Sequence, residues 1–134
     1  MTALSSYAEK KLLDHVFKNT AYTLPQAHIG LFTSDPTDSA SGTEASGSGY
    51  ARIRIDNKMS SATSNSDNSQ ITNSSVITFA AASGGAFGTI THIGIFDASS
   101  SGNLLAHGAL AASKVISDGD TFQINASGLV ITID

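Results

Sequence analysis

The chain has 134 residues and a net charge of −4, and only 13% of its residues are charged, about half the usual share. This length predicts a single domain, 1–134, and the acidic balance excludes a nucleic-acid partner, which would need a basic stripe to replace counterions. No cysteine is present and no apolar run approaches the roughly 20 residues that span a bilayer, so we expect neither disulfides nor a membrane partner.

One segment near the start, at about 4–19, has the pattern of an amphipathic helix. Apolar residues recur there at three- and four-residue steps and form one stripe: Ala8, Leu12, Leu13, Val16 and Phe17. Ser6, followed three residues later by Glu9, matches a capping box, and Pro25 ends the helix before the next element. We expect this stripe to lie on the rest of the domain. No basic segment followed by an apolar run precedes it, so we expect no signal peptide.

The remaining chain, from about 27 to 134, alternates strand patterns with turn formers. The predicted strands are HIGLFT (28–33), YARIRI (50–55), VITFAA (76–81), TITHIGIFD (89–97), LLAHGAL (104–110), ASKVIS (112–117), TFQIN (121–125) and GLVITID (128–134). Asp118-Gly119 is a hairpin signal, and two polar loops are expected at 34–49 and 59–70. The predicted fold is mainly β, an antiparallel β-sandwich or barrel with one N-terminal amphipathic helix.

Two of the predicted strands carry nearly the same sequence, HIGLF (28–32) and HIGIF (92–96). In a strand, the His, Gly and Phe of each segment face one side and the aliphatic residues face the other. Such a pattern indicates central strands that are covered on both faces, and the glycines indicate a close approach by the helix or by an aromatic ring. We therefore expect the two segments to be equivalent strands, paired or facing each other across the core.

Histidines at these positions also raise the possibility of a metal site. Such a site would need His28 and His92 to converge with a third ligand, such as His107 or a carboxylate, and the spacing supplies no short His-x-His pair. Structural histidines are the favoured interpretation, with no metal and no cofactor. The aspartates fall in turns, where they commonly cap their own backbone, and no motif for a nucleophile or a phosphate loop is present. We expect no enzymatic activity.

Two arginines share the polar face of the strand 50–55. Solvated charge is the favoured interpretation of Arg52 and Arg54, and an interface with an acidic partner is the alternative. The sequons at Asn73 and Asn125 carry no weight in a cytoplasmic protein. The candidate interface residues, on this strand and on the two polar loops, are Tyr50, Arg52, Arg54, Asp35, Asp38, Met59, Asn65 and Asp67.

Five blocks of the sequence, taken in order, resemble a family of small tailed-phage virion proteins that is often described as tail fibre-like and is also similar to head decoration proteins. The blocks are ALSSYAEKKLLDHVFKNTAYT, HIGLFTSDPTD, GTEASGSGYARIRI, SSVITFAAASGGAFGTITHIGIFDASSSGNLLAHGAL and DGDTFQINASGLVITID. The central segment MSSATSNSDNSQITN departs most, and Phe87 stands where the family often has a tryptophan. The resemblance implies a non-enzymatic structural protein of the phage particle, made in the bacterial host cytoplasm and present in repeated copies.

Two locations in the particle agree with this resemblance. The first hypothesis is a capsid decoration (cement) protein that binds the major capsid protein through the loops 34–49 and 59–70, because the chain lacks the internal repeats of a fibre shaft. The alternative is a tail or tail-fibre-associated adaptor that contacts other tail proteins or a host receptor. In either location we expect the chain to bind itself, as a homotrimer, because small β domains gain from symmetric assembly.

Overall fold

Antiparallel strands make up most of the computed structural model, which describes residues 3–23, 26–64 and 66–133. The fold is sandwich-like rather than a closed barrel within these ranges, and the prediction of a mainly β domain with one N-terminal helix is confirmed. The elements are β1 (Ala3–Leu4), α1 (Ser6–Phe17), β2 (His28–Phe32), β3 (Ile53–Arg54), a 3₁₀ turn (Asp56–Lys58), β4 (Thr63–Ser64), β5 (Ser69–Thr72), β6 (Ile77–Thr78), β7 (Gly88–Phe96), β8 (Leu104–Ile116), β9 (Gln123–Ile124) and β10 (Val130–Ile133).

The largest sheet has the strand order β1-β8-β7-β2-β3. At its centre β2 and β7 pair along the whole of HIGLF and HIGIF, from His28 opposite Phe96 to Phe32 opposite His92. The prediction that these segments are equivalent central strands is therefore confirmed, and they are paired. The two histidines lie at opposite ends of this ladder, because the strands are antiparallel.

The core fills the face of this sheet that carries the aliphatic residues. Ile29, Leu31, Ile93 and Ile95 are almost completely buried there, because alternation along paired strands points all four to one side. The other faces of the core come from segments outside the central strands, including the rings of Phe79, Phe87 and Phe122. The core thus consists of aliphatic side chains from the central strands packed together with three phenylalanine rings from other segments.

Two small sheets complete the sandwich, with the orders β10-β5-β4 and β6-β9. The prediction of a polar loop at 59–70 is wrong in part, because β4 and the start of β5 form a hairpin there. β5 also pairs with β10. Asn73, fully buried, joins the two sheets: its Nδ2 donates to the carbonyls of Ser75 and Asn125, and its Oδ1 accepts from the amide of Leu129. Asn73, which is part of a sequon in the sequence, is therefore a buried residue whose hydrogen bonds hold the two small sheets together.

Other predicted strands differ in extent. The two predicted segments 104–110 and 112–117 form one continuous strand, β8. Residues 110–113 of β8 lie opposite a single residue of β7, so β8 has a wide bulge at the point where a break was predicted. The turn at Asp118-Gly119 forms, yet it is not a hairpin, because β9 pairs with β6 and not with β8. Of the segment 50–55, only Ile53–Arg54 is strand, because Tyr50 and Arg52 are drawn into side-chain contacts.

The N-terminal helix is shorter than predicted and is oriented differently. Its N-cap is Ser5 and not Ser6, since the Ser5 hydroxyl accepts from the amide of Ala8. The predicted stop at Pro25 lies outside the described residues, and α1 ends at Phe17. The expectation that its apolar stripe packs on the domain is wrong for four of its five residues, because the side chains that follow Ala8 are exposed: Leu12, Leu13, Val16 and Phe17. Ala8 alone of the stripe is half-buried and packs against the core. Among the described residues, no helix has the length and apolar character to cross a membrane.

Candidate functional site

The polar centre of the molecule lies on the opposite face of the large sheet, above Gly30. There the Tyr50 hydroxyl donates to Glu44 Oε1 at 2.7 Å, and Arg52 binds the same carboxylate through two nitrogens at 2.8 Å each. The amide of Leu31 donates to the Tyr50 oxygen at 3.0 Å, which ties the group to β2. A side chain at position 30 would collide with this group, since a Cβ there would lie 2.7 Å from Glu44 Oε1. The glycine is thus what admits the ion pair to the sheet surface.

Arg52 also fixes the loop that joins β7 to β8. Its Nη1 donates to the carbonyls of Ala98 and Ser101, at 3.1 and 2.7 Å, and its guanidinium lies 3.6 Å from the centre of the Phe96 ring. Its side chain is only 7% exposed. The prediction of solvated charge is therefore wrong for Arg52, because an acid eight residues earlier and two carbonyls from another loop enclose it.

The electrostatics of this group follow from its burial and its hydrogen bonds. Burial alone raises the pKa of Glu44, but the hydrogen bonds from Arg52 and Tyr50 outweigh that effect and hold the pKa below its ordinary value of 4.5. Burial, and then the hydrogen bond to Glu44, raise the pKa of Tyr50 well above 10.0. At neutral pH the group is therefore a carboxylate, a guanidinium and a neutral phenol, with each hydrogen bond supplied by a suitable donor.

Arg54, two residues further on, has a different environment. It pairs with Asp56 through two hydrogen bonds of 2.8 and 2.9 Å, and its side chain is 46% exposed. The hydrogen bond from Arg54 lowers the pKa of Asp56. Solvated charge, the favoured interpretation, describes this arginine well.

Asp35 and Asp38 lie in the loop after β2 and meet a histidine of β8. His107 Nε2 lies 2.9 Å from Asp38 Oδ1, and its Nδ1 lies 3.5 Å from Asp35 Oδ1. Asp35 also accepts from the amide of Thr37, as an aspartate that caps its own turn should. The two aspartates thus attach the loop 34–43 to β8 through one imidazole ring.

The remaining histidines of β2 and β7 stay local. His28 is buried and its Nδ1 lies 3.2 Å from the carbonyl of Gln26, while His92 Nδ1 lies 2.8 Å from the Thr91 hydroxyl. His28 and His92 do not converge with His107. In the part of the chain that the structure describes, no three histidines or carboxylates are arranged to hold a metal ion.

The other predicted interface residues belong to the small sheets. Met59 is half-buried and bridges to Asn73, and Asp67 is exposed between β4 and β5. Asn65 lies outside the described residues. The structure therefore divides the predicted set into separate places: Tyr50 and Arg52 above β2, Arg54 beside Asp56, the two aspartates at His107, and the hairpin at 63–72.

An open depression of about 350 Å³ lies beside the Arg52 group. It is lined by Glu44, Ala45, Tyr50, Ala51, Arg52, Ser99, Ser100 and Ser101. Since the Arg52 nitrogens already bind Glu44 and two carbonyls, the depression presents fixed backbone and serine hydroxyls rather than an uncommitted cation. Its chemistry suits contact with a polar surface.

Sequence reasoning missed Glu44 and the exposure of α1. Glu44 is the one acid between Asp38 and Asp56 in the sequence, so Glu44 and Asp56 are the acids nearest to the two arginines at 52 and 54. Two arginines with two nearby acids indicate two ion pairs, which the sequence could therefore have predicted. The exposure of the helix could not be predicted in this way, because an apolar stripe shows which face of a helix is hydrophobic but not what that face contacts.

Comparison with known proteins gives one family. A family model described as "Podophage GP4 fiber I protein gp80" matches residues 3–132. No curated protein matches the chain.

Proposed function

The chain belongs to the family of the podophage GP4 fiber I protein gp80, and we propose that it is a non-enzymatic structural protein of the phage tail, within a fibre or attached to one. The observation that carries this proposal is the extent of the match, which covers residues 3–132 and therefore both the helix and the β domain. The matched description names a fiber, so it favours the tail alternative over the capsid decoration protein that was our first hypothesis.

The loop surface near Arg52 supports a role in contact rather than in chemistry. Arg52 holds the segment 97–103 against Glu44, and His107 holds the segment 34–43 against β8. Loops fixed in this way lose little conformational entropy when they bind, so they suit a constant contact with another tail protein or with a host receptor. A partner of this kind would meet backbone carbonyls and serine hydroxyls.

We propose further that the chain acts as a homotrimer with tail proteins as its other partners, without a nucleic-acid or membrane partner. The low charge supports repeated protein contacts, because uncharged polar side chains cost less to bury than ions. Capsid decoration stays as the second candidate. One observation favours it. The two similar segments HIGLF and HIGIF are adjacent strands of a single sheet, and they are not repeat units of a fibre shaft.

Quantitative mass spectrometry of purified virions tests this proposal, combined with immunogold electron microscopy. We expect far fewer copies than the major capsid protein, with label on the tail. Copies comparable with the capsid protein, with label over the head, would replace the tail proposal with decoration. Absence from washed virions would contradict both.

A further inference from the structure

The helix α1 presents its apolar side to solvent. The exposed stripe consists of Leu12, Leu13, Val16 and Phe17, whose exposed fractions are 39%, 57%, 58% and 82%. These side chains together expose on the order of 400 Å² of apolar surface, the size of the largest apolar patch on a typical single chain, which often has a function. A large ring that is four-fifths exposed on a structural protein requires an explanation.

The other side of α1 is already occupied by the chain's own return segment. The Tyr22 ring packs edge-on against Tyr7 at 6.4 Å, and Lys11 lies over both rings. The amide of Thr20 donates to the carbonyl of Asp14, and the amide of Tyr22 lies 3.3 Å from the Nδ1 of His15. Turning the exposed stripe inward would break these contacts. The stripe is therefore not available to the domain that carries it.

The stripe has the spacing of a helix that packs on a parallel copy of itself. Leu13 and Val16 occupy successive a and d positions of a heptad, and Glu9 occupies the preceding d position. Leu12 and Phe17 then fall at g and e, which meet each other across a parallel interface because g of one helix contacts e five residues later in its neighbour. Tyr7 and Ala8, which pack against the core of the chain's own domain, occupy b and c positions.

Charge is complementary in the same register. Glu9 is the one charged residue on the a and d seam, and Lys10 follows it at e, where it reaches Glu9 of the neighbouring copy. We infer that the exposed stripe of α1 is the interface through which copies of this chain associate in parallel. This inference rests on the proposed function only in taking another copy as the partner, since it holds for a tail or a capsid location alike.

The area agrees with a symmetric assembly that uses more than the helix. A stable interface buries roughly 800 Å² on each partner, about twice what the stripe offers. The strand that α1 contacts, β8, adds exposed small and apolar residues in its middle and second half: Ala109, Ala111, Ala112 and Val115. Val115 is 67% exposed. In a three-fold arrangement each chain makes two contacts, so the stripe supplies one part of the buried surface and the exposed residues of β8 add to it.

The test measures the mass of the purified full-length chain in solution by light scattering, across a range of concentrations. The variant Leu13→Gln/Val16→Gln/Phe17→Gln replaces the three most exposed side chains of the stripe with a good helix former, so its helix content and unfolding temperature as a monomer should be preserved. We expect wild type to be trimeric and this variant to be monomeric. Val76→Gln, at a 42% exposed apolar residue elsewhere, is the matched control and should stay trimeric.

A charge exchange tests the register without altering the apolar stripe. Glu9→Lys should weaken association about fivefold, in the range of exposed ion pairs, and Glu9→Lys/Lys10→Glu should restore it. A monomeric wild type at every concentration, or a triple variant that stays trimeric, would overturn the proposal. An unaffected Glu9→Lys variant would overturn the parallel register. A monomeric wild type would also contradict the homotrimer proposed above, whereas a triple variant that stays trimeric would contradict only the role of the stripe. The tail location is tested separately on virions and does not depend on either result.

Discussion

Gly30 and Gly94 lie directly opposite each other where β2 pairs with β7. Opposite residues of an antiparallel pair share a face, so two missing side chains open one gap in the middle of the sheet. One half of the gap admits the Glu44 carboxylate, and the other half admits the stacked rings of Phe32 and Phe96, 5.9 Å apart. The pair of glycines thus allows a polar group and an aromatic group to sit side by side on the same surface.

Gly94→Ala should destabilise the domain by about 1–3 kcal/mol, the usual range for overpacking. The added Cβ would lie 2.9 Å from Phe32 Cε2 and 3.0 Å from Phe96 Cε2, and both rings are buried. Urea unfolding measures the change, and Thr89→Ala, at an exposed residue of the same strand, should alter stability little.

Relief of the same clash provides a second check. Phe32→Leu should cost less in the Gly94→Ala background than in wild type, because the smaller side chain makes room for the methyl group. Strict additivity of the two substitutions would show that the contact between these positions is not the cause.

Arg52→Ala should destabilise the domain by about 3 kcal/mol, because it removes two hydrogen bonds between charged groups at a carboxylate that is only 27% exposed. The same substitution should cost less when Glu44 is already glutamine. Arg54→Ala is the natural control, since the residue type is the same and the side chain is 46% exposed. We expect no measurable change for Arg54→Ala in urea unfolding. Equal effects at both positions would contradict the buried role of Arg52.

Stability should decline in acid partly through Glu44. Its pKa is lower in the folded protein than its ordinary value of 4.5, so its contribution is complete above that pH and is lost as the pH falls through the folded value. Urea midpoints measured from neutral pH to below pH 4.5 should therefore fall less steeply for Glu44→Gln than for wild type. Parallel curves for the two proteins would count against the Arg52–Glu44 pair.

Asn73→Asp should destabilise the domain by about 3 kcal/mol or more at neutral pH, since a buried carboxylate would replace an amide donor. The carbonyls of Ser75 and Asn125 would then face a negative charge instead of the Nδ2 group. Gln26→Glu makes the same chemical change at an exposed position and should be nearly neutral. Thermal unfolding followed by circular dichroism separates the two. A small effect at Asn73 would mean that its connections are dispensable.

The pairing of β2 with β7 could be predicted because both segments carry the same two-residue alternation with glycine at the same place. The aromatic rings beside Gly94 could also be predicted, since phenylalanines two residues away along the strands lie on the same face. The burial of Arg52 could not be predicted, because strand alternation places Arg52 and Arg54 on the same face and does not distinguish them. What separates them is a carboxylate eight residues away in a Ser/Gly loop, and only the folded loop shows which arginine it meets.

The helix illustrates the opposite limit. Its spacing predicted the apolar stripe correctly, with Leu13, Val16 and Phe17 on one side. Its partner could not be inferred from that spacing, because periodicity within one chain is the same for an internal and an external contact. The hairpin at 63–72 was missed for a related reason, since its exposed Ser and Thr residues lack the apolar alternation by which strands are recognised.

Ser5 links the helical arm, α1, to the central sheet, beside the packing of Tyr7 and Ala8 against the core. One side chain caps α1 at Ala8 and also donates to the carbonyl of Leu104, while the Ser5 amide donates to the carbonyl of Leu105. One residue therefore joins the first turn of the helix to the start of β8. A pull on the arm is transmitted to the central sheet at this residue, so the arm and the domain should yield under load as one mechanical unit.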